Sequence, residues 1–180
     1  MAGKASGSGE AIGKVMAVVR EFTLSHLRDW LGLMPEPGEA CRIPRDRMPL
    51  RDVTSVMGIG GDVNAYVAMA FDRALIDWIT AVEIAGLDVP DMDRQALCAD
   101  TAGELVNTVA GKATAHLASG GRPLSLTPPV ALADPNALGR DRDSICWTVK
   151  LATGRGCLDL TVLDADPPIG GMETDTGDAG

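Results

Sequence analysis

The 180-residue chain is 46% hydrophobic and 23% charged, ordinary globular usage, and its length fits one domain at roughly 150 residues each. Sixteen Lys plus Arg against 25 Asp plus Glu leave a formal charge of −9, which argues against a nucleic-acid grip or an anionic-membrane patch; two Phe, three Trp and one Tyr are too few for a base-stacking platform. Cys41, Cys98, Cys146 and Cys157 stand far apart without a C-x-x-C, and neither histidine has zinc-site spacing, so reduced, mostly buried thiols in a cytoplasmic protein are expected rather than a metal knuckle or disulfide scaffold.

The Gly/Ser-rich residues 1–9 offer little to bury and are expected to be unstructured. They contain no apolar stretch of the kind a secretory leader needs. From Ile12 to Leu31 apolar residues recur at helical spacing, predicting one amphipathic helix. Gly32 and the Met34-Pro35-Glu36-Pro37-Gly38 cluster end it, and the charged residues 39–51 read as a loop. The period then changes to two. Val53 to Ile59 and Val63 to Phe71 flank Gly60-Gly61-Asp62, a β-hairpin pattern.

Helical spacing returns over 72–87 and again over 93–117, the second helix closing at Ser119-Gly120-Gly121. Strands are expected over 124–132, interrupted by Pro128-Pro129, and over 144–153 and 157–163, which alternate across Gly154-Arg155-Gly156. The stretch 164–180 holds five acids and no base, leaving about −4 on the body, and reads as a solvated tail. The longest uncharged run, Pro123 to Ala133, has 11 residues and three prolines, too short for a membrane span of roughly 20. Helix, hairpin, two helices and then strands amount to an α+β fold, an antiparallel sheet packed with helices. The single domain is expected over 10–163.

Several chemical signals fail. Gly58-Ile59-Gly60-Gly61 resembles half a dinucleotide fingerprint, but the element that follows alternates with period two and offers no helix amino terminus to a pyrophosphate. Gly13-Lys14 runs into Val15, so no phosphate loop exists there. Asp141-Arg142-Asp143 reads as a solvated connector, and His116 as a structural histidine on the apolar side of its helix. No serine sits in a nucleophile elbow.

One helix carries a signal. At about 100° per residue, with Asp100 at zero, Glu104 falls near 40°, Asn107 near 340° and Gly111 near 20°. Cys98, Ala102, Leu105, Val106, Val109, Ala113 and Leu117 occupy the opposite arc. Polar faces on surface helices are common. Yet Asn at 107 and Gly at 111 are poor helix formers, and an exposed mid-helix glycine costs roughly 1 kcal/mol relative to alanine. A missing side chain beside a carboxylate and an amide suits close approach by another molecule, so Asp100 and Gly111 are expected to touch a partner.

The string Asp100-Thr-Ala-Gly-Glu104-Leu-Val-Asn107-Thr-Val-Ala-Gly111, followed by Pro128-Pro129, resembles the signature of the CheX/CheC/FliY chemotaxis phosphatases: Asp or Ser, three residues, Glu, two residues, Asn, and a proline about twenty residues on. A single signature fits the CheX branch better than two-site CheC. The resemblance covers residues 10–163, with the charged loop at 34–51, the acidic tail and the proline spacing as departures. It implies an enzyme that hydrolyses the aspartyl phosphate of a CheY-like response regulator. Asn107 would orient the attacking water and Glu104 would pair with the regulator's lysine. Mg²⁺ would belong to the regulator, and this chain would bind no cofactor or metal itself. A homodimer through sheet edges is also implied, with the strands at 144–163 leaving an open edge. The alternative is a non-catalytic adaptor that binds a regulator or a flagellar-switch component.

Overall fold

The computed structural model describes residues 4–86, 94–118, 124–138, 145–165 and 169. Helix α1 spans Lys4–Asp29, β1 Glu36–Pro37, β2 Cys41–Pro44, β3 Val53–Gly60, β4 Ala65–Phe71, α2 Arg73–Glu83, α3 Arg94–Leu117, β5 Ser125–Leu126, β6 Val130–Ala131, β7 Ile145–Thr153 and β8 Gly156–Asp164. All strand pairs are antiparallel, and the sheet runs β1-β7-β8-β4-β3-β5, with β2 also on β7 and β6 also on β3.

Alternation sets the two faces of the sheet. Met57 and Ile59 of β3, Ala65, Val67, Met69 and Phe71 of β4, and Leu158, Leu160 and Val162 of β8 join the main core beneath the three helices. The intervening residues Val56, Ala68, Cys146 and Leu163 form a smaller cluster on the far face with Met48, Leu132 and Leu138. The expected hairpin forms, its register running from Ile59 opposite Ala65 to Val53 opposite Phe71, and it turns at Gly61 with φ of 126°. Asp72 caps α2, its carboxylate accepting from the Leu75 N–H at 2.9 Å. The same carboxylate accepts from the Cys157 N–H at 2.7 Å, which ties the start of β8 to the start of α2.

Three sequence expectations change. Helix α1 begins at Lys4 rather than Ile12, so residues 4–9 are helical, not unstructured. Their composition is poor for burial, but they continue a helix already propagating, which is far easier than nucleating one. The 34–51 stretch is not a plain loop: β1 and β2 lie along β7, and a 3₁₀ turn follows at Arg45–Arg47. Short, polar, proline-bearing segments are what a sheet edge tolerates. In consequence the open edge expected within 144–163 is filled, because β7 pairs with β1 and β2 on one side and β8 on the other. The Asp141-Arg142-Asp143 connector and residues 1–3, 166–168 and 170–180 lie outside the described residues.

All four cysteines are free thiols: Cys98 and Cys146 are buried, Cys157 is half-buried and Cys41 is exposed. Burial pushes the Cys146 thiol up to about 11, so it stays protonated. No described helix is long and apolar enough to cross a membrane, and no cluster of metal-ligating side chains occurs among the described residues.

Candidate functional site

Helix α3 is held on three sides. Cys98, Ala102, Leu105, Val106, Val109 and Ala113 are buried, on the arc that the helical wheel assigns to the core. Three polar links join the helix to α2: the Thr101 hydroxyl donates to Glu83 Oε2 at 3.1 Å, and the Cys98 thiol donates to Asp77 Oδ1 at 3.3 Å and accepts from the Thr80 hydroxyl at 3.5 Å. Burial raises the Cys98 thiol above its ordinary value, so it remains the donor.

The third side is a bulge. Ile59 faces Leu126 but Val56 faces Val130, so three residues on one strand oppose two on the other. The extra residue falls at Thr127-Pro128-Pro129, where two prolines lack the N–H a ladder requires. The Thr127 N–H donates to the Gly58 carbonyl at 3.0 Å, and its hydroxyl accepts from the Gly58 N–H at 2.9 Å, anchoring the segment just before the prolines. Pro129 then rests on α3 at Gly103, where an added Cβ would lie 3.5 Å from its Cγ.

Beside this contact opens a groove of about 460 Å³, lined by Asp100, Gly103 and Glu104 of α3, Ser55 of β3, and Pro129, Val130 and Ala131 of the bulged segment. Asp100, Glu104 and Asn107 are all exposed and Gly111 is half-buried, as the outward stripe requires. Asp100 and Glu104 share the groove. Asn107 and Gly111 continue the stripe beyond it, one and two turns further along. Glu104 and Asn107, at i and i+3, have Cβ atoms about 5–6 Å apart. Among the described residues, no hydrogen bond or ion pair engages the side chains of Asp100, Glu104 or Asn107. A carboxylate and an amide therefore stand side by side, fixed by a well-packed backbone and free to receive outside groups.

Ser55, Val130 and Ala131 escaped the sequence reading. The Pro-Pro pair inside a strand pattern was the available signal, because it marks a bulge, and bulges re-aim neighbouring side chains. His116, expected on the apolar side, is exposed; its ring meets Phe22 edge-on, with centroids 5.9 Å apart. Gly58-Ile59-Gly60 lies within β3, so it offers no cradle at a helix start.

A family model described as "Chemotaxis phosphatase CheX" matches residues 53–150. A search of curated proteins returns no match. Among solved structures, a chemotaxis protein CheX from Desulfovibrio desulfuricans superposes with a TM-score of 0.68 at 21% identity, covering 84% of this chain and 99% of that one. A CheX from Borrelia burgdorferi, solved in a complex with CheY, BeF₃ and Mg²⁺, gives 0.64 at 19% identity, covering 83% and 96%. FliY from Thermotoga maritima gives 0.61 at 16%, covering 88% and 90%. At these identities the likeness establishes a shared fold.

Proposed function

This chain belongs to the CheX family of chemotaxis phosphatases, and from that premise we propose that it hydrolyses the aspartyl phosphate of a CheY-like response regulator. The observation that carries the reading is the outward pair Glu104 and Asn107, exposed and without an internal partner on a helix packed along its other faces. Asn107 enters the regulator's site and its amide holds a water in line with phosphorus. Water oxygen bonds to phosphorus, the bond from phosphorus to the acyl oxygen breaks, and the regulator's aspartate leaves as a carboxylate. Glu104 pairs with the regulator's lysine and fixes the approach.

Phosphoryl transfer depends mainly on positioning and electrostatics, so this chain needs neither a general base nor a nucleophile of its own. Mg²⁺ is the regulator's. An acyl phosphate is already labile, and a hundredfold acceleration needs only about 2.7 kcal/mol, within the reach of one amide holding one water. A homodimer, if it forms, has to use an edge other than β7, whose two sides are filled; a mass measurement in solution decides its presence.

The test is a CheY-type receiver charged with a small phosphodonor in the presence of Mg²⁺. Wild-type protein speeds loss of phosphate, and Asn107→Ala removes that gain with an unchanged circular dichroism spectrum and melting temperature. An alanine variant as fast as wild type ends the assignment. Capture of the phosphorylated receiver without faster hydrolysis establishes the adaptor reading instead.

A further inference from the structure

On its helix-facing side β3 carries Val53, Ser55, Met57 and Ile59 in alternation, and all but Ser55 belong to the main core. Ser55 is as confined as they are, at 3% exposure, yet it lines the groove beside Glu104. Among the described residues its hydroxyl has no hydrogen-bond partner. A valine at 55 would suit the strand and fill the space under α3. Serine instead leaves that space open with an unpaired hydroxyl at its floor, an arrangement that folding by itself disfavours. The floor of the groove is thus built to receive a polar group from outside.

The rim says which kind of group. On the α3 side Asp100 and Glu104 stand exposed, one turn apart, and no cation among the described residues pairs with either. Like charges at i and i+4 repel each other, so the pair gains from a cation between them. The other side is apolar: Pro129, Ala131 and Val130, the last 57% exposed. Oxygen acceptors on one side and at the floor, with an apolar wall opposite, match a long apolar stem that ends in a positive charge. Lysine brings three N–H donors and arginine five, and a groove of about 460 Å³ has room for either.

Position separates this cation from the lysine inside the phosphorylated site. Asp100 lies about 6 Å along the helix axis from Glu104 and about 10 Å from Asn107, on the side of Glu104 away from the amide. When Asn107 enters the receiver's site, the groove therefore meets receiver surface outside that site. Charge agrees with the assignment. A chain of −9 has no general attraction for a phosphorylated receiver, so a local contact between a receiver cation and these carboxylates supplies both attraction and orientation.

We propose, resting on the phosphatase reading, that the groove of Ser55, Asp100 and Val130 is a subsite for one lysine or arginine on the receiver's surface outside its phosphorylation site, and that this residue decides which receivers are accepted. The probe is a CheY-type receiver held with BeF₃ and Mg²⁺ for affinity, and the same receiver with a phosphodonor for turnover. Asp100→Asn raises Kd and KM about tenfold with kcat within about twofold, and weakens their salt dependence. Ser55→Val, which suits a strand and fills the floor, gives a similar rise with a melting temperature no lower than wild type, and Ser55→Ala a rise of about threefold. Exposed lysines and arginines of the receiver are then changed to alanine one at a time. One of them, outside the phosphorylation site, costs affinity against wild type but little against Asp100→Asn. Unchanged Kd and KM in either Asp100→Asn or Ser55→Val, beside an active wild type, overturns this inference alone. So does a set of receiver variants in which every loss adds in full to that of Asp100→Asn, which leaves the groove to an apolar side chain or to water. A wild type that neither binds nor hydrolyses removes the phosphatase reading and the subsite with it.

Discussion

Gly111 separates two demands on one position, helix stability and partner access. It lies six residues before the end of α3 at Leu117, with helix on both sides. A Cβ added there meets no heavy atom within 4 Å, and its φ is not in the left-handed region. Gly111→Ala therefore gains helix propensity, about 1 kcal/mol, with no strain to offset it. For a domain of this size that raises the melting temperature by about 2–4 °C and moves the urea midpoint by about 0.5 M. If a receiver packs against the bare backbone, the same methyl group costs about 1 kcal/mol or more on binding through overpacking, a KM about fivefold higher with kcat held. Differential scanning calorimetry and steady-state dephosphorylation of one protein preparation read both numbers. A lower melting temperature refutes the open-space geometry. A higher one with unmoved KM refutes any role for Gly111 in docking.

Other perturbations probe the frame around the site. Asp72→Ala removes both the cap of α2 and the acceptor for the Cys157 N–H, and is expected to cost about 1–3 kcal/mol in urea unfolding. Burial opposes ionisation of Asp72, but the Leu75 and Cys157 donors and the Arg51 charge outweigh it and hold its carboxyl below the ordinary 3.8. The folded state then binds fewer protons than the unfolded one, so stability present at neutral pH is lost as pH falls through 3.8 and below; Asp72→Ala flattens that limb of the urea midpoint. His26 is depressed below 6.5, first by burial and then by Lys112, so stability present above pH 6.5 declines as pH falls from there, and His26→Gln removes that step. Ile79→Ala, at a fully buried site on the core face of α2, is expected to cost about 2–5 kcal/mol.

What was legible in the sequence follows from how local each signal is. The hairpin, α2, α3 and the β7–β8 pair announce themselves by period and by turn residues, because each buries a face set by its own spacing. The stripe of Asp100, Glu104, Asn107 and Gly111 was readable for the same reason, since one helix positions all of it. Strands β1 and β2 were not: two and four residues with proline and arginine have no period, and they exist as strands only because β7 offers an unpaired edge. The groove was hidden too. Ser55 and Val130 meet α3 across a bulge whose one-residue slip is a property of pairing between distant segments, not of either segment.

That bulge also explains how a single helix can present two exposed polar side chains, Glu104 and Asn107, with no side-chain partner among the described residues. The role proposed for Asn107, aiming water, needs a fixed backbone and unengaged polar atoms, which are opposing requirements in an ordinary core, where satisfied hydrogen bonds supply the rigidity. Here the rigidity comes from neighbours of other positions on α3: Cys98 and Thr101 link to α2, Gly103 lies under Pro129, and Leu105, Val106 and Val109 are sealed in the core. The positions between them are thereby released from structural duty. Glu104 can keep its carboxylate and Asn107 its amide for another molecule because Glu83, Asp77 and the two prolines have taken over the tasks of holding the helix in place.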